Sequence, residues 1–169
     1  RGTVVTGKVE RGRLAVHGEV QIVGHDADRT SVVVTGIQEF HRDVPEALAG
    51  HNVGLLLRGM LRHDIVRGQT IVAPGSVAPH RAGRAEIFLL GSDEGGRKTP
   101  CADGYTPQFY FGVSDVPGTL RLGEISLRPG DRAEVDFELG RPVALEPGMR
   151  FAMREGGRTV GAGVVSHVR

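Results

Sequence analysis

The sequence contains one cysteine and no tryptophan, and none of its apolar runs approaches the length of a membrane helix. A single cysteine excludes a framework of internal disulfides and favours a reducing compartment. Because a spanning helix needs about 20 consecutive apolar residues, the sequence predicts no transmembrane helix. No leader with a charged start and an apolar stretch opens the chain. We therefore expect a cytoplasmic protein without a membrane partner.

An excess of charge of one sign is also lacking. The chain has 21 basic residues, of which 19 are arginine, against 20 acidic ones, which gives a formal net charge of +1. A protein that binds polyanions in general shows a basic excess over the domain. Any contact with nucleic acid must then be local and made by a few arginine side chains, whose guanidinium groups bind phosphate in a forked geometry.

Glycine is abundant, with 26 of 169 residues, about twice the average of roughly 7%. Short runs of β-branched and aromatic residues alternate with Gly and Pro, which is typical of strands separated by turns. Spacings of about 8–12 residues between such runs predict barrels. The runs are 3–6, 20–23, 31–35, 53–57, 70–72, 85–89, 108–111, 118–122, 132–139, 150–154 and 160–165.

So many strands exceed what one small barrel holds, and the segment 73–80 has two prolines that suit an extended connector. We therefore predict an all-β chain of two antiparallel β-barrels in tandem, with little or no helix. The first barrel is expected over residues 1–75 and the second over residues 80–169. Helical turns are expected at most within 43–49 or 62–67.

Enzymatic motifs are incomplete. The segment from Gly2 to Val9 matches a phosphate-binding P-loop except at its last position, where Val9 lacks the hydroxyl that binds magnesium. Seven histidines never pair at metal-ligand spacing, and Cys101 has no histidine near it in sequence. No nucleophile elbow is present. We predict no catalytic residue and no metal site, so the residues alone indicate a binding module.

Arginine occurs beside glycine in three segments: 57–59, 93–100 and 154–163. Glycine lets the main chain approach a ligand closely, and arginine supplies two parallel N–H donors for phosphate. The same pattern is typical of hairpin turns that carry a solvated arginine. From these residues alone both interpretations stay open.

Longer motifs run in a fixed order through the chain, and with them the sequence resembles the second and third domains of the bacterial elongation factor Tu family. The resemblance covers essentially all 169 residues. The family's GTP-binding domain precedes these domains and is not in this sequence, so we expect a divergent or truncated copy. The motifs are Arg1-Gly-Thr-Val-Val-Thr-Gly7, Val9-Glu-Arg-Gly12, Asn52-Val-Gly54, Leu56-Leu-Arg-Gly59, Arg67-Gly-Gln69, Asp93-Glu-Gly-Gly-Arg97, Pro107-Gln-Phe-Tyr-Phe111, Pro129-Gly-Asp131 and Phe151-Ala-Met-Arg-Glu-Gly-Gly-Arg-Thr-Val-Gly-Ala-Gly-Val-Val165.

The resemblance implies two tandem β-barrels that bind aminoacyl-tRNA for delivery to the ribosome. The first barrel would hold the aminoacylated 3′ end, and the second would hold the T stem, where proteins contact RNA by shape and backbone. By position, the resemblance assigns Thr6 and Asn52 to the aminoacyl pocket, Val4, Leu56 and Gln38 to the terminal adenine, Arg67 to the 5′ end of the acceptor stem, and Arg97, Arg141 and Gly156 to the T stem.

The resemblance also implies the remaining partners and cofactors. No cofactor is expected in this chain, because GTP and Mg²⁺ bind the family's preceding domain, which makes a full-length member a GTPase. The expected partners are aminoacyl-tRNA, the ribosome, that GTP-binding domain and a nucleotide exchange factor.

Several positions depart from the family pattern. Gln38 stands where the family has Glu, His41 and Gly112 stand where it has Arg, and Arg141 replaces Lys. These departures motivate a second hypothesis, a divergent paralogue or fragment that acts as a protein-interaction or regulatory module without tRNA delivery. A different translational GTPase with similar barrels is disfavoured by the length of the final motif.

Overall fold

The chain is an all-β structure. The computed structural model describes residues 2–25, 27–112 and 114–169, and this part forms fourteen strands and two short 3-10 turns, Arg62–Asp64 and Ser92–Glu94. The predicted all-β class, with antiparallel barrels and little helix, is confirmed. The strands are β1 (Gly2–Lys8), β2 (Arg13–Ala15), β3 (Glu19–Gly24), β4 (Ala27–Glu39), β5 (Arg42–Val44), β6 (Glu46–Leu48), β7 (Asn52–Arg58), β8 (Thr70–Val72), β9 (Ala78–Leu89), β10 (Gln108–Phe111), β11 (Ser114–Arg121), β12 (Arg132–Leu145), β13 (Arg150–Glu155) and β14 (Arg158–Val168).

The strands belong to two compact units, each with its own core. The first unit comprises Arg1–Val23, Ala27–Val66 and Thr70–Ser76. The second unit comprises Gly24–Asp26, Arg67–Gln69 and Val77–Arg169.

In the first unit, a six-stranded sheet has the order β1-β7-β4-β3-β8, with β5 paired to β4, and β2 pairs with β6 in a second small sheet. Alternation in β7 shows how the core forms. Val53, Leu55 and Leu57 are buried. Asn52, which precedes them, and Leu56, which lies between the last two, are exposed. Because successive side chains of a strand point to opposite faces, one face of this sheet packs on the core and the other meets solvent.

The second unit is a closed antiparallel barrel with the strand order β10-β11-β12-β9-β14-β13. Closure pairs every strand on both sides, so this barrel has no open strand edge. In β12 the predicted alternation is present, with Val135, Phe137 and Leu139 buried and the residues between them more exposed.

Four phenylalanine rings fill the middle of this barrel. The centroid of Phe151 lies 5.2 Å from that of Phe109 and 5.1 Å from that of Phe111, and Phe137 lies 5.8 Å from Phe109. Glycines face the rings where the space is tightest. A Cβ atom on Gly118 would lie 2.6 Å from the Phe109 ring, and one on Gly163 would overlap the Phe151 ring.

Each of the apolar runs found in the sequence overlaps a strand, whereas β2, β5 and β6, each of three residues, were not predicted. The segment 43–49 contains strand residues instead of a helical turn, and one of the 3-10 turns lies within 62–67. The expected connector 73–80 ends in β9, which begins at Ala78. In the described part of the chain, no helix is long and apolar enough to cross a membrane.

The ring-facing glycines generate a stability prediction. Gly163→Ala is expected to lower the free energy of unfolding by about 1–3 kcal/mol, because the added methyl group forces the Phe151 ring out of its position. Urea unfolding followed by circular dichroism measures the change. The matched control is Ala162→Ser, at the exposed neighbouring position, which should stay within about 0.5 kcal/mol of the parent. Equal stability of Gly163→Ala and the parent would contradict the packing described.

Candidate nucleic-acid interface

Strand register brings the five candidate residues of the first unit onto one exposed face. Val4 pairs with Leu56 across β1 and β7, and Gln38 pairs with Gly54, the partner of Thr6. Asn52 lies opposite Lys8 at the end of the same pair of strands. Directly opposed residues of an antiparallel pair share a face. We call the surface formed by Val4, Thr6, Gln38, Asn52 and Leu56 the β1–β7–β4 face.

The β1–β7–β4 face combines an apolar part with a polar part. Val4 is 56% exposed and Leu56 is 37% exposed, so these two paired side chains form a small apolar patch on the face. Gly54 lies in the middle, where a Cβ atom would come 3.4 Å from the Val4 side chain. Because Gly54 has no side chain, the surface is shallow between the apolar pair Val4 and Leu56 and the polar residues of this face.

Gln38 supplies a directed polar group at the edge of this face. Its Nε2 donates to Asp43 Oδ1 at 3.3 Å, across the β4–β5 hairpin. The bond fixes the orientation of the amide and leaves its oxygen as the acceptor for a ligand. A glutamate, which only accepts, could not make this bond to Asp43 while both groups are ionised. The contact with Asp43 therefore explains why glutamine, rather than glutamate, suits position 38 of this chain.

The tip of the β4–β5 hairpin carries an exposed aromatic side chain that the sequence analysis did not single out. Phe40 is 88% exposed, and both turn residues are left-handed, with φ 50° at Phe40 and 63° at His41. Left-handed turn positions favour Asn and Gly, so the sequence of this turn gave no signal for a tight hairpin.

Arg67, the candidate for the acceptor 5′ end, is exposed. Its carbonyl oxygen accepts a hydrogen bond from His25 Nε2 at 3.1 Å. The backbone is therefore held while the guanidinium remains at the surface.

In the second unit, Arg97 is bound to other residues of the chain, whereas the residues alone had suggested either a phosphate-binding or a solvated arginine. Its side chain is only 17% exposed and forms an ion pair with Glu155, Nη1 to Oε1, at 2.5 Å. Nε donates to the Thr99 carbonyl at 3.3 Å, and Nη2 donates to Thr99 Oγ1 at 3.1 Å. The guanidinium carbon also lies 4.6 Å from the centroid of the Tyr105 ring.

Glu155 directly precedes Gly156, so the ion pair links Arg97 to the turn between β13 and β14. Gly156 and Gly157 are exposed and left-handed, with φ 59° and 81°. Arg154 Nη2 donates to the Gly157 carbonyl at 2.9 Å. We call these two glycines the Gly156–Gly157 turn. Two of the three candidate T-stem residues, Arg97 and Gly156, thus meet through Glu155.

A separate set of contacts connects Arg141 with the residues around the Gly156–Gly157 turn. Its Nη2 donates to the carbonyl of Asp115, and Asp115 pairs with Tyr110 across β10 and β11. The ring of Tyr110 lies 5.2 Å from the guanidinium carbon of Arg154. Gly112, which follows β10, is left-handed with φ 62°, a conformation that arginine rarely adopts.

Burial changes the acid–base properties of groups around Arg97. Burial raises the pKa of Tyr105 to about 12, with the negative charge of Glu155 adding to the shift. Burial likewise raises the pKa of the Cys101 thiol, which disfavours its reactive thiolate form. Asp103, which lies between β9 and β10, accepts hydrogen bonds from the backbone N–H groups of Leu122 and Gly123, and these bonds lower the pKa of its carboxyl group.

Within residues 2–25, 27–112 and 114–169, no group of three or more His, Cys, Asp or Glu side chains could hold a metal ion. The arrangement instead offers an apolar and polar face on the first unit, and an exposed glycine turn with nearby arginines on the second. Sequence reasoning placed Arg154 and Glu155 in the glycine–arginine segment 154–163 but did not connect them with Tyr105 or Arg97. A single tyrosine in a loop carries no chemical signal of its own.

Comparison with protein families matches both units. Residues 2–72 match the family described as Elongation factor Tu domain 2. Residues 76–169 match the family described as Elongation factor Tu C-terminal domain. The two matches follow one another and leave few residues of the chain outside them.

The raised pKa of Tyr105 generates a pH prediction. The unfolded group titrates near 10.0 and the folded one near 12, so the folded chain retains the proton to higher pH. The contribution of Tyr105 to stability is therefore complete below pH 10 and is lost as pH rises toward 12. Urea unfolding across this range should show a smaller alkaline loss for Tyr105→Phe than for the parent. Identical pH slopes in the two proteins would refute the shift, and Tyr110→Phe reports the part due to the other tyrosine.

Proposed function

The chain belongs to the elongation factor Tu family, and on that premise we propose that it is an aminoacyl-tRNA-binding region of a translation factor. In this proposal the β1–β7–β4 face binds the aminoacylated 3′ end. Arg97, Arg141 and the backbone of Gly156 in the Gly156–Gly157 turn bind the T-stem backbone. Arg67 contacts the 5′ end of the acceptor stem.

The observation that supports the proposal most is the shared face of the first-unit residues. Five residues from three strands, proposed for one ligand, all lie on the exposed side of one sheet. Exposed Val4 and Leu56 offer an apolar contact for the adenine ring, while Gln38 and Asn52 offer polar groups for the ribose and the amino acid. The exposed Phe40 ring adds apolar area at the neighbouring hairpin. Apolar surface combined with a few directed polar groups is the usual composition of a small-ligand site.

The chemistry of the second unit fits an RNA helix. A-form RNA is recognised through phosphates and 2′-hydroxyls across its shallow groove rather than by base sequence. Exposed backbone at Gly156 and arginines nearby offer donors for those groups. A near-zero net charge of +1 is consistent with few, localised contacts, as a carrier that must release its tRNA requires.

The proposed partners follow from the same premise. We propose tRNA and the ribosome as partners, with the GTP-binding domain of the family and a nucleotide exchange factor acting alongside. GTP hydrolysis, which the resemblance assigns to another domain of the family, is not a role that we give to these two domains. The contribution of this chain is binding.

Leu56→Ala tests the apolar part of the β1–β7–β4 face. Because Leu56 is partly exposed, the variant should fold, yet it should weaken aminoacyl-tRNA binding by about 1–2 kcal/mol through lost apolar burial. Fluorescence titration with aminoacylated and deacylated tRNA at matched salt measures the effect. Val164→Ala, exposed on the second unit, is the matched control. Unchanged affinity in Leu56→Ala, or equal affinity of the parent for both tRNA forms, would contradict the proposal.

Arg67→Ala tests the acceptor-end contact. The variant should lose about 1–3 kcal/mol of binding to tRNA with a 5′ phosphate, since a charged hydrogen bond is removed. On tRNA lacking that phosphate, Arg67→Ala and the parent should bind alike. Arg62→Ala, an exposed arginine on the same loop, is the control and should show no such dependence. An equal loss on both tRNAs would contradict a contact at the 5′ end.

A further inference from the structure

We propose that Ser114 and His25 are positioning residues for Arg67, because their side chains fix the backbone of the segment Arg67–Gln69. In this account the acceptor-end contact made by Arg67 depends on two side chains that do not themselves touch RNA. For its ligand this role rests on the proposed function, whereas the fixation of the segment can be tested without RNA.

Ser114 supplies the first contact. Among the residues that the structure describes, it is the one polar or charged residue that is almost fully buried, with 3% exposed. Its Oγ donates a hydrogen bond to the carbonyl oxygen of Gly68, the residue after Arg67. A buried hydroxyl is costly unless it is hydrogen-bonded. The bond to Gly68 therefore explains a hydroxyl at the buried start of β11.

His25 supplies the second contact. Its Nε2 lies 3.1 Å from the carbonyl oxygen of Arg67, and since a carbonyl oxygen only accepts, Nε2 carries the hydrogen. The backbone of His25 is left-handed, with φ 57°. Such a conformation is uncommon outside glycine and persists where the surrounding structure holds it. The ring that binds Arg67 is therefore carried by a residue whose backbone is itself held in place.

The segment also binds the residue next to His25. Gln69 Nε2 donates to the carbonyl oxygen of Gly24 at 3.3 Å. Gly68, in the middle of the segment, is left-handed with φ 98°, and a Cβ atom there would lie 3.5 Å from His25 Nε2. Each residue of the segment thus takes part in one side-chain hydrogen bond, and the whole segment belongs to the second unit.

A fixed backbone matters for Arg67 because its guanidinium lies at the end of a long, exposed side chain. Binding a phosphate costs the conformational freedom of the side chain and of the backbone that carries it. The three hydrogen bonds remove the backbone part of that cost before RNA binds. Because the segment belongs to the second unit, Arg67 acts from the same unit as the proposed T-stem contacts.

Trypsin cleavage of the 169-residue chain tests the fixation without RNA. Trypsin cuts after arginine and needs a locally opened backbone, so the rate at the Arg67–Gly68 bond reports how often this segment opens. We expect Ser114→Ala and His25→Leu each to raise that rate about threefold to tenfold, the effect of one hydrogen bond. Cleavage after Arg62, on the same loop, should keep the parent rate, and mass spectrometry resolves the two sites.

Conservative variants separate the hydrogen bonds from packing. Ser114→Thr keeps the hydroxyl and His25→Gln keeps an N–H donor, so both should be cleaved after Arg67 at the parent rate. Parent-rate cleavage after Arg67 in both Ser114→Ala and His25→Leu would overturn the positioning role. So would an equal acceleration after Arg62 and Arg67, because it would report a loss of stability that is not local.

The second unit offers matched controls for both substitutions. Ser126 and His80 also bind backbone carbonyl oxygens, at 3.4 Å and 2.9 Å. Ser126→Ala and His80→Leu remove bonds of the same kind at other places. Both controls should leave cleavage after Arg67 at the parent rate.

Binding of tRNA with and without a 5′ phosphate connects the fixation with the ligand. We expect Ser114→Ala and His25→Leu each to reduce the preference for phosphorylated tRNA about threefold to tenfold, with unchanged affinity for the dephosphorylated form. Combining either variant with Arg67→Ala should cause no further loss, since both act on one contact. A parent-like preference in both variants, or losses that add in the double variant, would overturn the positioning role.

The two experiments fail in different ways. A parent chain that binds both forms of tRNA alike, or binds neither, contradicts the 5′-end contact in the proposed function. Trypsin cleavage after Arg67 still decides in that case whether Ser114 and His25 fix the segment.

Discussion

The interior of the closed six-stranded barrel is the constraint on which the second unit depends. A barrel of this size has room for side chains alone, and four phenylalanine rings occupy its middle, with Gly118 and Gly163 facing Phe109 and Phe151. Because the rings and the glycines must coincide, the register of each strand pair is fixed. Every second residue is then directed outward, and Tyr110 meets Arg154 on the outer surface for this reason.

Most strands of the fold could be predicted from the sequence because each of them has a local sequence pattern. Long β-branched runs bounded by Gly or Pro predicted the major strands, and β12 shows the predicted alternation around Val135 and Phe137. The strands β2, β5 and β6 could not be found in this way. Three residues carry too little alternation to be recognised. β2 and β6 form because they pair with each other at long range, and β5 forms because it pairs with β4 across the turn at Phe40 and His41.

The family resemblance supplied the members of the candidate site but not the contacts that they make in the folded chain. The resemblance assigned Arg97 and Gly156 to the T stem, whereas the residues alone left Arg97 as either a phosphate-binding group or a solvated turn arginine. Its partner Glu155 is 58 positions away, and no local rule predicts an ion pair at that separation. The stack on Tyr105 is a tertiary contact for the same reason. Burial and ion pairing exist only in the folded chain, and they make Arg97 a residue that connects its loop with the end of β13 instead of an exposed cation.

We propose that aminoacyl-tRNA binds both the β1–β7–β4 face and the Gly156–Gly157 turn. Hydrogen exchange of the chain, measured with and without saturating aminoacyl-tRNA, tests this proposal. We expect protection of β1, β7 and the β13–β14 turn together, and loss of protection at β1 and β7 alone when the tRNA is deacylated. Protection that excludes either surface, or that is the same for both forms of tRNA, would contradict the proposal.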